Sequence, residues 1–239
     1  MIPTDPVLTC TLEILMRFSP RSVFVYGSRG RGDFNTASDY EVGVVFDTEH
    51  YIDRKTIHGA VDNTAVKVYP FKWEDLENGN LNILFQKSLY LRELKLGAKL
   101  LYGDDILTRI PVVPITLLDL LQRTRFDLGL ALASLLSFRA GDKTTSMEEF
   151  SKSCLFGLRS LLIFENKQFP VGYDEIYESS KYLDLNEDIR LVIDAAIKYR
   201  REGIIPEIDI IYENISFIDS FIEPKLLERF AAEGNVELL

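Results

Sequence analysis

The chain has 239 residues, 46% of them hydrophobic, with 27 Lys and Arg against 37 Asp and Glu, a net charge of −10 and a mean hydropathy of +0.01. That length and apolar content suit one large domain or two small ones with a sizeable core, and no uncharged apolar run approaches the roughly 18 residues of a membrane span. Residues 1–103 carry 12 basic and 13 acidic side chains and the remainder 15 and 24, so the acidity lies in the second half, which argues against nonspecific nucleic-acid contact and is compatible with a cationic partner.

Met1-Ile2-Pro3-Thr4-Asp5 lacks a basic segment leading into an apolar one, so no signal peptide is expected. Asp5-Pro6 reads as an N-cap followed by Pro at the first helical position, and Val7, Leu8, Leu12, Leu15 and Met16 continue as a helical stripe. Cys10 and Cys154 are the only cysteines, give no disulfide framework, and both sit in apolar helical patterns, which predicts buried free thiols and a cytoplasmic protein. Strands are predicted at 22–26, 40–46 and 65–69 from their Val, Phe and Tyr content. A short helix follows at 73–78, broken by Gly79-Asn80, then a helix over 83–96 stopped by Gly97, and a strand at 98–102 closed by Gly103.

Residues 104–114, with Pro111 and Pro114, separate two textures and are expected to be a linker. Beyond them nearly everything reads as helix: 115–138, 146–165, 173–182, 186–201, 214–222 and 224–232, the last two split because Pro224 would break a continuous helix. The expected architecture is α+β: a small mixed-sheet domain over 1–103, then a helical bundle over 115–239.

The most informative stretch is Gly27-Ser28-Arg29-Gly30-Arg31-Gly32 followed by Ser38-Asp39-Tyr40-Glu41. Gly27 permits a tight turn and close approach of a ligand. A short helix opening there would turn backbone N–H groups towards a phosphate, the Ser28 hydroxyl could donate to a phosphate oxygen, and Arg29 and Arg31 could neutralise triphosphate charge. Asp39 and Glu41, two residues apart, project from one face of a strand. Two such carboxylates suit Mg²⁺, which takes oxygen ligands and commonly combines one or two carboxylates with substrate phosphates. Either feature alone is ordinary; together, eleven residues apart and followed by the apolar run Val42–Phe46, they point to a metal–nucleoside triphosphate site.

The pattern at Gly27–Gly32 and Ser38–Glu41 resembles the nucleotidyltransferases of the DNA polymerase β superfamily, and within them the kanamycin (aminoglycoside) nucleotidyltransferases. Leu100-Leu101-Tyr102-Gly103 is similar to the way their catalytic domain closes, and Pro170-Val171-Gly172-Tyr173-Asp174-Glu175-Ile176 is similar to a turn entering a late helix. The resemblance implies Mg²⁺-dependent transfer of a nucleoside monophosphate, from ATP or another triphosphate, to a hydroxyl of a small acceptor such as an aminoglycoside. Gly27 and Ser28 would bind the triphosphate, Asp39 and Glu41 would hold Mg²⁺, and the helical domain would hold the acceptor. It also implies a homodimer.

One departure is evident. The family places a third carboxylate on the next strand, where this chain has Ala65-Val66-Lys67-Val68-Tyr69, with Lys67 at the acid's position. A protonated lysine repels a cation, but it could pair with Asp39, Glu41 or a phosphate. Asp62, Glu74 and Asp75 are near in sequence without falling in the strand. Either the metal uses two protein acids or the site is catalytically impaired, as a nucleotide-binding or regulatory module would be. A third reading keeps the chemistry and changes the acceptor to a protein, as in antitoxin-like nucleotidyltransferases. No general base is assigned: 124–138 holds only Asp127, and Glu148 and Glu149 begin the next helix. His50 and His58 match no ligand spacing, and Arg159 lacks the nearby His of a nuclease motif.

Overall fold

The computed structural model describes residues 5–36, 38–81 and 86–239. They form two compact units, Met1–Val113 and Pro114–Leu239. The protein is α+β, with a four-stranded mixed sheet in the first unit and helices throughout the second.

In the first unit, helix α1 (Pro6–Leu15) starts where Asp5 accepts hydrogen bonds from the Val7 and Leu8 amides at 2.8 and 3.3 Å. The other Asp5 oxygen accepts from the Tyr40 hydroxyl at 2.9 Å, which ties the cap to the sheet. Strand β1 (Ser22–Tyr26) runs into the one-and-a-half-turn helix α2 (Gly27–Arg31). Strand β2 (Tyr40–Phe46) leads through α3 (Arg54–Val61) to β3 (Val66–Lys72), then α4 (Trp73–Glu77), α5 (Lys87–Gly97) and β4 (Lys99–Gly103). The sheet order is β3-β2-β1-β4; only β2 and β3 are parallel, and α3 supplies the crossover that such a pair needs.

Alternation along the strands loads both faces. Val23, Val25, Val42, Val44, Val66 and Val68 pack with Leu8 and Leu15 of α1 and Ile57 and Val61 of α3. Phe24, Tyr26, Val45 and Phe71 pack on the opposite face with Trp73, Leu76, Leu91 and Leu94. Ile106, Leu107 and Ile110 are buried in this second core. The stretch expected as a linker is therefore, as far as Val113, part of the first unit: its three apolar side chains complete a layer of the core, and the unit boundary falls at Val113–Pro114.

Several expectations need correction. Helix α3 was not predicted, because only Ile57 and Val61 of its eight residues are buried and the rest reads as polar loop. Strand β3 continues past Pro70 to Lys72, which an edge strand tolerates. Cys10 is exposed, because the buried stripe of α1 is Leu8, Thr11 and Leu15; Cys154 is buried, and burial raises its thiol far above the usual range. The predicted start of the helix at Ile83 lies outside the described residues.

In the second unit, α6 (Leu117–Arg139) begins with a capping box between Thr116 and Asp119 and turns through Gly141 into α7 (Lys143–Asn166), most of which is buried. Helices α8 (Tyr173–Ser180), α9 (Glu187–Glu202), α10 (Ile208–Ser216) and α11 (Glu223–Glu233) follow. The expected break at Pro224 does not occur. A π-helical segment, Phe217–Ile222, joins α10 to α11, and Pro224 sits in the first turn of α11, where a missing N–H is tolerated. The tail closes on the start of α6: Ile115 N–H donates to Leu239 O at 2.9 Å and Leu238 N–H to Ile115 O at 2.7 Å. Among the described residues, no helix is long and apolar enough to cross a membrane.

Candidate nucleotide site

The residues singled out in the sequence meet at one end of the sheet in the first unit. Strand pairing sets a row across three strands: Tyr26 opposite Glu41, and Glu41 opposite Lys67. Directly after Tyr26 the chain leaves β1 at Gly27, whose φ of +62° is a left-handed conformation that favours glycine. The Glu41 carboxylate lies over this turn, so closely that a Cβ on Gly27 would collide with Glu41 Oε2. Gly30 is equally constrained: a Cβ there would sit 2.7 Å from Gly97 O and 2.8 Å from Val25 O. Glycines at both positions let α2 fold back tightly against β1.

Asp39 immediately precedes β2 and is exposed. Its carboxylate takes no hydrogen bond or ion pair among the described residues. The Ser28 hydroxyl likewise has no hydrogen-bond partner among the described residues, while the Ser28 carbonyl accepts from Gly32 N–H at 2.8 Å and Asp33 N–H at 3.1 Å. The β1–β2 pairing and the turn that follows it thus bring Gly27 and Glu41 together, with Ser28 next to Gly27 in the turn and Asp39 on the approach to β2.

The two arginines are used differently from the sequence expectation. The Arg29 guanidinium is stacked between the rings of Phe34 and Tyr40, at 4.0 and 4.1 Å from their centroids, and donates to Ser38 O at 3.3 Å. Arg31 is only 5% exposed and pairs with Asp33 at 3.1 Å and Glu93 at 2.7 Å. Both side chains brace the loop that carries the chain from α2 to Asp39, so in this structure their charge is directed at that loop. Ser38 closes the same loop, its hydroxyl accepting from Asn35 N–H at 3.1 Å and donating to Asn35 Oδ1 at 3.0 Å.

Three tyrosines not singled out in the sequence cluster within reach of the charge of Glu41. Tyr26 and Tyr69 have ring centroids 5.9 Å apart, Tyr26 and Tyr90 6.3 Å, and the Tyr26 and Tyr90 hydroxyls hydrogen-bond. Burial raises all three phenols, and the negative charge of Glu41 raises each further. The three phenols therefore stay neutral across the ordinary pH range. Arg54 covers Tyr69 at 4.4 Å. Tyr69 was legible in principle, since it follows Lys67 by two residues on the same strand face. Tyr90 was not, because it arrives from α5.

At the third-acid position, Lys67 reaches back along β3 and its ammonium donates to Thr64 O at 3.0 Å. It makes no ion pair with Asp39 or Glu41. Asp62 ends α3 in a left-handed conformation and Glu74 accepts from the Thr48 hydroxyl, so neither replaces the missing acid. Among the described residues, no group of three or more His, Cys, Asp or Glu side chains is placed to hold a metal ion. The acids that could serve a divalent cation at the turn are Asp39 and Glu41, with substrate and water supplying the remaining ligands. This set does not fit a pair of ions.

The candidate bases of the second unit are engaged. Asp127 is fully buried and paired with Arg123, Nε to Oδ2 at 3.0 Å. Glu148 accepts from Tyr199 at 3.3 Å and Arg200 at 2.9 Å. Glu149 accepts from Ser137 at 3.2 Å and is raised by burial. His50 and His58 are exposed, and the Arg159 guanidinium lies against the rings of Phe156 and Phe169.

No family model matches the chain, and no curated protein matches it significantly.

Proposed function

We propose that the first unit binds a Mg²⁺–nucleoside triphosphate, ATP in the first instance, and transfers its nucleoside monophosphate to a hydroxyl of a small acceptor, releasing pyrophosphate. The observation that carries this reading is the seating of Glu41 on the Gly27 turn, with the Ser28 hydroxyl and the Asp39 carboxylate both unengaged beside it. In this reading Ser28 and the backbone of the turn hold phosphate oxygens, and Asp39 and Glu41 hold the cation, which when bound neutralises charge on the phosphates. Tyr26, Tyr69 and Tyr90 form the aromatic wall of this end of the sheet. Arg29 and Arg31 contribute by fixing the loop that presents Asp39.

The acceptor is proposed to be small and hydroxylated, with a cationic molecule such as an aminoglycoside first in line because of the acidic second half. Pyrophosphate release from ATP with Mg²⁺ across a panel of aminoglycosides and polyols is the test. Product with any member supports transfer; none across the panel, with ATP still bound, favours the second reading. That reading, a nucleotide-binding module without transfer, is favoured specifically by Lys67 standing opposite Glu41.

A further inference from the structure

Lys67, opposite Glu41 on β3, is a cation at this end of the sheet that no carboxylate engages among the described residues. Parallel pairing puts Lys67 level with Glu41, and cross-strand partners project from the same face of a sheet. Lys67 is half-buried, and its ammonium takes one carbonyl, Thr64 O, and no ion pair among the described residues. An ammonium has three protons to donate. The groups that face this end of the sheet are Asp39 and Glu41 from β2 and its approach, Tyr26 from β1, Tyr69 and Lys67 from β3, Tyr90 from α5 and Arg54 from α3.

We propose that Lys67 is the fixed cation of the nucleotide site, standing in for a second divalent ion and the acid that would hold it, so that the triphosphate is taken with a single metal ion. This rests on the nucleotide-binding reading above and specifies its electrostatics. Polymerase-type sites commonly use two divalent ions to clamp the reacting phosphate. Three carboxylates with two divalent ions, and two carboxylates with one ion and one ammonium, present the same net charge of plus one to the triphosphate. The exchange therefore preserves the attraction for phosphate while removing the second ion's coordination shell. Lys67 needs only to swing from the Thr64 carbonyl to a phosphate oxygen, a rotation of a flexible four-carbon stem.

The test counts ions and measures affinity without reference to turnover. Mn²⁺ bound to the protein with a nonhydrolysable ATP analogue is counted from the loss of free-ion electron paramagnetic resonance signal, against the analogue alone. The wild-type complex should hold one Mn²⁺ per nucleotide, and Lys67→Asp, which places an acid beside Glu41, should hold two. By calorimetry Lys67→Met should bind the analogue on the order of tenfold more weakly, and Lys67→Arg should recover most of that loss. Two Mn²⁺ ions in the wild-type complex, or unchanged affinity in Lys67→Met, overturns the proposal while leaving nucleotide binding intact. Absence of nucleotide binding by the wild-type protein overturns the parent reading and this one with it.

Discussion

Lys67 stands directly opposite Glu41 across the parallel pair β2–β3, and Glu41 in turn covers Gly27. One row of paired residues thus joins the Gly27 turn, β2 and β3, and the consequences of disturbing it are specific.

Gly27→Ala should damage both stability and binding. The substitution places a Cβ against Glu41 Oε2 in a backbone conformation that L-residues disfavour by about 1–2 kcal/mol. The urea midpoint should fall accordingly, and ATP affinity should drop further than the fold does, because Glu41 must move. Gly141→Ala, at a left-handed turn with open space around it, serves as the comparison that carries the strain without the site.

Arg31→Met tests whether this arginine is a structural brace. Removing it takes away the cation that Asp33 and Glu93 share, which should cost about 2 to 3 kcal/mol of stability in chemical denaturation. Glu93→Gln, which keeps a hydrogen-bond acceptor, should cost less. Stability unchanged in Arg31→Met would show that these ion pairs do not brace the loop.

The tail at Leu238 and Leu239 closes the helical unit. Leu238→Ala should destabilise it by about 2 to 3 kcal/mol, since the side chain is buried and the strand-like contact with Ile115 depends on it. Thermal unfolding followed by circular dichroism reads this directly, and an unshifted midpoint would mean the tail is dispensable.

Glu149 supplies a pH signature. Burial raises its folded pKa above the unfolded value, so its contribution is fully present below the unfolded pKa and is lost as pH rises through the folded pKa. Glu149→Gln, which keeps an acceptor for Ser137, should therefore melt higher than the wild type at pH 7, with the gap closing as pH falls below the ordinary carboxylate range. A gap that widens on acidification contradicts the assignment.

The parts legible in the sequence were those governed by short-range rules. Strands β1 and β2 fall at the predicted residues because runs of Val, Phe and Tyr bounded by Gly and Ser admit little else. The Asp39–Glu41 spacing and the Gly27 turn are likewise local. What escaped was set by distant partners. Arg31 beside three glycines reads as a phosphate ligand, and its pairing with Glu93, 62 positions along the chain, is invisible until α5 packs beside α2. Tyr90 meets Tyr26 by an approach from the same helix. Pro70 and Pro224 read as stops, but an edge strand and a first helical turn both tolerate a missing N–H. Helix α3 was hidden because a crossover helix that buries two residues has almost no apolar period.

The Gly27–Ser28 turn and the Asp39–Glu41 pair are proposed to form one triphosphate site. Equilibrium dialysis of radiolabelled ATP in the presence of Mg²⁺ tests it most directly, comparing wild type with Ser28→Ala and with the double variant Asp39→Asn, Glu41→Gln, each confirmed folded by circular dichroism. Saturable, one-to-one retention by the wild type, weakened in Ser28→Ala and abolished in the double variant, is the predicted result. No retention by the wild type, or equal retention by all three proteins, would contradict it.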